Sequence, residues 1–164
     1  MVDQRQYVLS GNKAPNFVGL QRGGFGNPFD VTTQSGRSLG EDLTNVLQRG
    51  LDARGIDAKS LVLPPGADTD KALSEFRKQG TNRLLLVNMR EWKTDAMMRV
   101  TLHWNLEAAV YDPTGAILGK NSIAGTAPVG GAGFESGNSN VASQQASQKL
   151  TEVINHPDII AALQ

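Results

Sequence analysis

The chain has 164 residues, of which 39% are hydrophobic and 5% aromatic, so it suffices for one domain with a mainly aliphatic core. Its sixteen basic residues are balanced by sixteen acidic residues. The protein therefore has no large net positive charge that would attract nucleic acid or an anionic membrane surface. The lack of cysteine excludes disulfides, a thiol nucleophile and thiolate metal ligands. It does not distinguish an oxidising cellular compartment, such as the periplasm, from the reducing cytoplasm.

The N-terminal residues are polar and lack the charged-then-apolar order of a secretion signal. No stretch approaches the roughly 18 consecutive apolar residues of a membrane span. Such a start fits an exported protein whose signal has been removed and replaced by a start Met, and it equally fits a cytosolic protein. The sequence leaves both alternatives open.

The first 36 residues predict a short strand, at residues 6–10, and a glycine-rich arm, at residues 11–36. Glycines and prolines recur in this arm and exclude a regular helix. The remainder, residues 37–164, predicts an α/β domain, so that arm and domain together form one structural domain.

Three helices are predicted. Ser38 and Glu41 have the spacing of a capping box, and apolar residues at helical spacing follow until Gly55. A shorter helix follows Pro64-Pro65-Gly66, is capped by Asp68, Thr69 or Asp70, and ends at Gly80. The third helix spans about residues 140–155. Pro157 then interrupts it, and Asp158 is expected to cap a last short turn.

The strands follow from alternation and from uninterrupted apolar runs. Residues 58–63 alternate weakly, and the uninterrupted apolar residues 84–87 indicate a strand that is buried on both faces. After a polar turn, apolar residues occupy every second position from Val100 to Val110, which indicates a half-buried antiparallel strand. A turn at residues 112–115 leads into a further strand at residues 116–118, with a continuation to Ile123 left open. The Gly, Ser, Ala and Asn-rich residues 125–140 predict a mobile loop.

The predicted order is therefore β-α-β-α-β-β-β-α. Strand-helix-strand units require parallel neighbours, and the later hairpin adds antiparallel strands. We expect an α/β (α+β) fold: a single domain with a mixed, mainly antiparallel sheet of four or five strands and helices packed mainly on one face.

The sequence contains no convincing catalytic, cofactor or metal motif. The glycine-rich segments lack the spacing of phosphate-binding loops. His103 and Glu107 lie on one face of a strand, yet no serine or cysteine nearby has the context of a nucleophile. The second histidine, His156, is expected to interact with the carbonyls of a helix end, and two isolated histidines do not make a zinc site. We expect no enzyme activity, no cofactor and no metal.

Contacts with a partner protein are the more promising function. Three of the five phenylalanines lie in the glycine-rich arm, and a Met and Trp group lies around the turn between the third and fourth predicted strands: Met89, Trp92, Met97 and Met98. The alternative for both is packing against the protein's own core. The candidate contact residues are Phe17, Arg22, Phe25, Phe29, Trp92 and Phe134.

Four segments of the sequence resemble a known family. They are "LDARGI" at the end of the first helix, "NRLLLVNMREW", "LEAAVYDPTGAILGKNSIAG" and the C-terminal "INHPDIIAAL". Together they resemble small bacterial envelope lipoproteins of the YajG-like kind, and the layout is similar to the TolB amino-terminal domain and to curli-secretion lipoproteins. Such families are anchored through a lipidated cysteine after a signal peptide, and this sequence has neither.

The resemblance implies a non-enzymatic, periplasm-facing, outer-membrane lipoprotein whose signal and lipidation cysteine have been removed, with a cytoplasmic protein as the alternative. It would bind envelope proteins or copies of itself, with no nucleic acid as partner and the membrane reached only through the missing anchor. The alternative function is a small-ligand module that binds a lipid, glycan or peptide between sheet and arm.

Overall fold

The computed structural model describes residues 1–97, 99–130 and 138–164. It is a mixed α/β fold with an open six-stranded sheet and five helices in these residues. The strands are β1 Val2–Asp3, β2 Phe17–Arg22, β3 Pro28–Thr32, β4 Leu84–Ala96, β5 Val100–Tyr111 and β6 Ile117–Gly130. The helices are α1 Gln6–Leu9, α2 Leu39–Asp52, α3 Thr69–Lys78, α4 Asn138–Ile154 and α5 Pro157–Leu163.

The sheet has the order β3-β2-β4-β5-β6, and β1 lies beside β4 on the same side as β2. Strands β4, β5 and β6 form an antiparallel meander, whereas β1 and β2 each run parallel to β4. The expected mixed, mainly antiparallel sheet is therefore confirmed, with the β2–β3 hairpin as an addition that the sequence did not predict.

The main core lies between one face of the sheet and the helices α2, α4 and α5. The alternating residues of β5 line this face: Leu102, Leu106 and Val110 have no exposed surface. Helix α3 is the exception to the expected one-sided arrangement, since Phe76 packs against Leu84 and Leu86 on the opposite face.

The caps of α2 and α3 follow the sequence signals. Ser38 Oγ accepts a hydrogen bond from the Glu41 amide at 3.2 Å, and Asp68 Oδ1 accepts one from the Lys71 amide at 2.8 Å. Helix α5 differs from the expectation, because the cap is His156 and not Asp158. His156 Nδ1 accepts from the Asp158 amide at 3.3 Å, so this histidine serves a helix start.

The predicted strand at residues 6–10 is wrong, since Gln6–Leu9 forms a helical turn and the first strand is Val2–Asp3. The reason is local: Asp3 Oδ1 accepts from the Arg5 amide at 3.1 Å, and the Arg5 carbonyl then accepts from the amides of Val8 and Leu9. These bonds divert the backbone from the sheet immediately after Asp3.

The predicted strand at residues 58–63 is also wrong. The backbone of Ala58 forms hydrogen bonds with side chains of α2 instead. Its carbonyl accepts a hydrogen bond from Gln48 Nε2 at 2.9 Å, and its amide donates one to Asp52 Oδ1 at 3.2 Å. This segment runs beside the sheet without joining the hydrogen-bonded ladder.

Two strands are longer than expected. Strand β4 continues to Ala96 through the residues predicted as a polar turn, because the charged side chains of Glu91, Lys93 and Asp95 are partly exposed while Trp92 and Thr94, which alternate with them, are buried. Strand β6 continues to Gly130 and so replaces the first part of the predicted loop; residues 131–137 lie outside the described residues. Gly125 is required for packing, since a Cβ there would lie 2.5 Å from Trp104 Cζ2.

Candidate interaction surface

The glycine-rich arm forms a hairpin whose base is firmly joined to the sheet. Strand β2 pairs with β4 from Gly19↔Thr94 to Gln21↔Ala96. A Cβ at Gly19 would collide with the backbone of Thr94, so glycine is needed for this close approach.

A buried arginine ties the base of the hairpin to the N-terminal strand. The Arg5 guanidinium has no exposed surface and makes a bidentate bond to Asp3, at 2.9 and 2.7 Å. It also donates to the carbonyls of Phe17 at 2.6 Å, Trp92 at 3.2 Å and Pro15 at 3.2 Å. One side chain thus joins β1, the start of the arm and the middle of β4.

A second ion pair holds the outer part of β2. Arg22 donates through Nε and Nη2 to the two carboxylate oxygens of Asp95, at 2.9 and 2.7 Å. The hydrogen bond from Arg22 lowers the pKa of Asp95, and the reciprocal bond raises the pKa of Arg22. Because both side chains are partly exposed, solvent screens this ion pair.

The tip of the hairpin is apolar and exposed. The turn closes by a bond from the Gly23 amide to the Asn27 carbonyl at 3.0 Å, and Gly26 has the positive φ of 79° that favours glycine. Phe25 is 99% exposed, and Phe29 is 61% exposed. We refer to Phe25 and Phe29 with the glycines between Arg22 and Asn27 as the hairpin tip.

The six predicted contact residues do not form one surface. Arg22, Phe25 and Phe29 lie together on the hairpin. Phe17 is 2% exposed and packs edge-on against Tyr7, with ring centroids 5.5 Å apart, and Trp92 has no exposed surface. Burial therefore excludes Phe17 and Trp92 as surface contacts in this fold, and Phe134 lies outside the described residues.

One apolar residue near the tip was not among the predicted contacts. Met97 is 61% exposed and directly follows Ala96, which pairs with Gln21 in β2. It belonged to the Met and Trp group of the sequence analysis, in which Met89 instead is fully buried. The sequence analysis also did not predict the role of Arg5. The only sequence signal for it is an acidic residue, Asp3, two positions before the arginine.

The polar face of β4 and β5 carries separate pairs. Glu107 accepts from Arg90 Nε at 2.7 Å, while His103 Nδ1 lies 3.0 Å from Thr126 Oγ1. His103 and Glu107 therefore have different partners and do not form a base and its orienting carboxylate.

Within residues 1–97, 99–130 and 138–164, no cluster of three acidic, histidine or cysteine side chains has metal-binding geometry. No helix in the same residues has the length and apolarity to cross a membrane.

A cleft of about 570 Å³ lies between the base of the arm, α2 and α4. Its floor is apolar, with Leu39 and Leu43 buried. Its polar rim includes Arg37, Asp42 and Arg49, of which Arg37 donates to Asp42 at 3.1 Å. This is the described pocket that corresponds to the ligand site expected between sheet and arm.

Comparisons with known proteins show a protein that shares the fold, but they do not assign the chain to a family. No protein-family model and no curated protein matches the chain. A Xanthomonas campestris protein of family DUF330 has a TM-score of 0.52 and 11% identity, over 90% of this chain and 78% of its own. This likeness shows a shared fold.

Two other solved structures have lower TM-scores. The PelC dodecamer from Paraburkholderia phytofirmans has a TM-score of 0.45 and 22% identity, over 77% of this chain and 76% of PelC. Lipoprotein GNA1162 from Neisseria meningitidis has a TM-score of 0.34 and 16% identity, over 68% of this chain and 72% of its own. None of these comparisons identifies the YajG-like family.

Proposed function

We propose that this protein is a non-enzymatic accessory or assembly domain of the bacterial cell envelope, which acts by binding other envelope proteins and copies of itself. The observation that carries the proposal is the 99% exposure of Phe25 at the tip of an anchored hairpin. An aromatic ring with almost its whole surface exposed contributes little to folding, whereas aromatic anchors dominate the energetics of protein interfaces.

The construction of the hairpin supports this role. Its base is fixed by the buried Arg5 and by the Arg22–Asp95 pair, while Gly23, Gly24 and Gly26 add no side chains at the tip. A fixed base lowers the entropy that is lost on binding. The ring of Phe29 lies against Gly23, so the two phenylalanines are presented from one short turn.

The test compares association with stability in the same variants. We expect Phe25→Ala and Phe29→Ala to weaken self-association, measured by sedimentation over a range of concentrations, with little change in the unfolding midpoint. Val62→Ala is the matched control, because Val62 is an exposed apolar residue, at 58%, outside the hairpin. A strictly monomeric wild type that also yields no crosslinked partner in envelope extracts would refute the proposal, as would variants that unfold while the folded fraction associates normally.

The proposed location is the periplasmic side of the outer membrane, reached through a signal peptide and a lipidation cysteine ahead of Val2. This part of the proposal derives from the resemblance to envelope lipoproteins. It is tested by reading the natural coding sequence upstream of Val2 and by fractionating cells. Recovery in the cytoplasmic fraction would refute it.

A second candidate function is the binding of a small lipid, glycan or peptide in the cleft beside the arm. The supporting observation is the volume of about 570 Å³ with an apolar floor and polar rim, which falls within the usual range of ligand sites. Native mass spectrometry of the purified protein should then detect a co-purified molecule. Val46→Trp, which places a large ring in the cleft, should abolish that extra mass, and its persistence would exclude the cleft as the binding site.

A further inference from the structure

Strand β6 forms one edge of the sheet. It pairs with β5 on one side, and no strand of the described residues pairs with it on the other. Neither end of the chain lies at this edge, since β1 pairs with β4, and Arg83, just ahead of β4, donates to the Ala162 carbonyl at 3.1 Å. Strand β5 separates both of these places from β6.

The backbone groups of alternate β6 residues face the open side. The Asp112 amide donates to the Ala116 carbonyl at 3.0 Å, so Asp112 and the alternate residues before it in β5 direct their backbone groups to β6. Their partners are the odd-numbered residues from Gly119 to Ala127. The even-numbered residues therefore direct their backbone groups away from β5. They are Lys120, Ser122, Ala124 and Thr126, all of which are exposed.

Features that protect an edge lie only at the two ends of this stretch. Proteins guard unpaired edges with lysine, proline or a β-bulge. Lys120 lies at one end, and Pro128, next to a register shift, lies at the other. The nitrogen of Pro128 has no hydrogen to donate, which agrees with its placement on the open side. Between these ends, residues 121–127 contain no charged residue, proline or bulge.

The four residues that face the open side are symmetric about Ile123. A two-fold axis at Ile123 would set Lys120 opposite Thr126 of a second copy in an antiparallel ladder. The same axis would set Ser122 opposite Ala124 of that copy. Each of these pairs occurs twice, and each can exchange two backbone hydrogen bonds.

Neighbouring registers match less well. A shift of the axis by one residue in one direction would set Lys120 opposite Pro128, which lacks a donor. A shift in the other direction would set Thr126 opposite Leu118, which lies at a register shift between β5 and β6. The axis at Ile123 is therefore the register that pairs all four residues with one another.

The side chains fit the same register. Lys120 lies opposite a neutral threonine, so no like charges meet. The Ile123 side chains, which are partly buried against the main core, meet across the axis. Ile117 and Leu118, which are 56% and 42% exposed, lie beside the end of the other β6, near its Pro128.

We propose that β6 pairs antiparallel with β6 of a second copy about an axis at Ile123, which joins the two sheets into one continuous sheet. Backbone hydrogen bonds supply the affinity, as in other cases of strand addition. This interaction goes beyond the proposed function, because the hairpin tip belongs to β2 and β3 at the opposite edge of the sheet.

The lack of cysteine in the chain permits a direct test of the register by disulfide formation. Ser122→Cys and Ala124→Cys proteins, mixed in equal amounts and oxidised, should form a disulfide-linked dimer that contains one of each. Residues directly opposite lie about 5.5 Å apart between Cα atoms, within disulfide range. Each protein alone should stay largely unlinked, because its two cysteines would be offset along the ladder by more than the limit of about 7 Å. Equal linking in the mixture and in either protein alone would overturn the proposal.

Hydrogen exchange over a range of protein concentrations gives a second signature. Higher concentration should slow exchange of the even-numbered amides from Lys120 to Thr126 and leave the amides of Asn121 and Ile123, which face β5, unchanged. Exchange that is independent of concentration would overturn the proposal. Even-numbered amides that are protected at every concentration would show that the chain itself covers this edge, and the proposal would be wrong.

A charge exchange tests the pair of Lys120 and Thr126. Thr126→Lys should weaken dimer formation several-fold in sedimentation, because it sets two lysines opposite each other, and Thr126→Glu should strengthen it. Equal association of both variants, each with an unchanged unfolding midpoint, would contradict the register.

Phe25→Ala separates this proposal from the role of the hairpin tip. The mixed disulfide between Ser122→Cys and Ala124→Cys should form equally well with Phe25→Ala in both chains. Its loss would show that the tip and not β6 carries the association. Its persistence, together with unchanged association of Phe25→Ala, would refute the role of the tip and leave the β6 pairing in place.

Discussion

Replacing Arg5 by Met should cost more stability than any other single change at the base of the hairpin. The substitution keeps much of the apolar volume but leaves Asp3, which is 3% exposed, as a buried carboxylate without its cation. Removing one partner of a buried ion pair typically costs about 3–5 kcal/mol. The free energy of unfolding of a natural domain is about 5–15 kcal/mol, so a large share of it should be lost.

The double variant Asp3→Leu with Arg5→Met separates the charge from the other bonds. Replacing a buried ion pair by apolar residues is often neutral. Here Arg5 also donates to the carbonyls of Phe17, Trp92 and Pro15. The Trp92 carbonyl keeps a bond from the Tyr7 hydroxyl and the Pro15 carbonyl keeps one from the Leu39 amide, so the main loss is at Phe17, where a buried acceptor without its donor costs about 1–3 kcal/mol. We therefore expect the double variant to be more stable than Arg5→Met alone and still clearly less stable than the wild type.

Urea unfolding monitored by tryptophan fluorescence measures these differences, with an unchanged m-value as the condition for comparing midpoints. Hydrogen exchange adds a local readout, because loss of the Arg5 bonds at the base of the hairpin should accelerate exchange at Gln21 in β2. A loss below about 1 kcal/mol for Arg5→Met, or a double variant as stable as the wild type, would show that the guanidinium does not hold the three segments together.

Two further predictions concern the core and the pH dependence. Leu47→Ala and Leu86→Ala, at positions 7% and 3% exposed, should each lower the free energy of unfolding by about 2–5 kcal/mol in urea titrations; a loss within error at both positions would contradict the described core. The pKa of Asp95 is lowered by Arg22, so the stabilisation from this pair should be complete above the ordinary aspartate pKa of about 4 and should fade as the pH falls through the lowered value. The stability difference between wild type and Asp95→Asn should therefore shrink as the pH falls below about 4, and a constant difference down to pH about 2 would refute this origin.

The elements that the sequence predicted well are those whose signals are local. The Ser38 and Asp68 caps depend on bonds between residues three apart, and α2 and α3 begin where these caps indicate. The alternation from Val100 to Val110 likewise fixed β5, because one face of that strand is buried and the other is polar. The glycine-rich surroundings of Phe25 and Phe29 also made them candidates for contact with a partner; both are exposed, and their role as contact residues stays a prediction.

Other features depend on which segments meet in space. Residues 58–63 alternate as a strand does, but their neighbours are side chains of α2, so no ladder forms. The burial of Trp92 and the role of Arg5 result from contacts between segments up to 87 residues apart. Periodicity and capping report only the bonds within a short stretch of chain, whereas a ladder partner, a buried ion pair or an open strand edge exists only once distant segments are packed together.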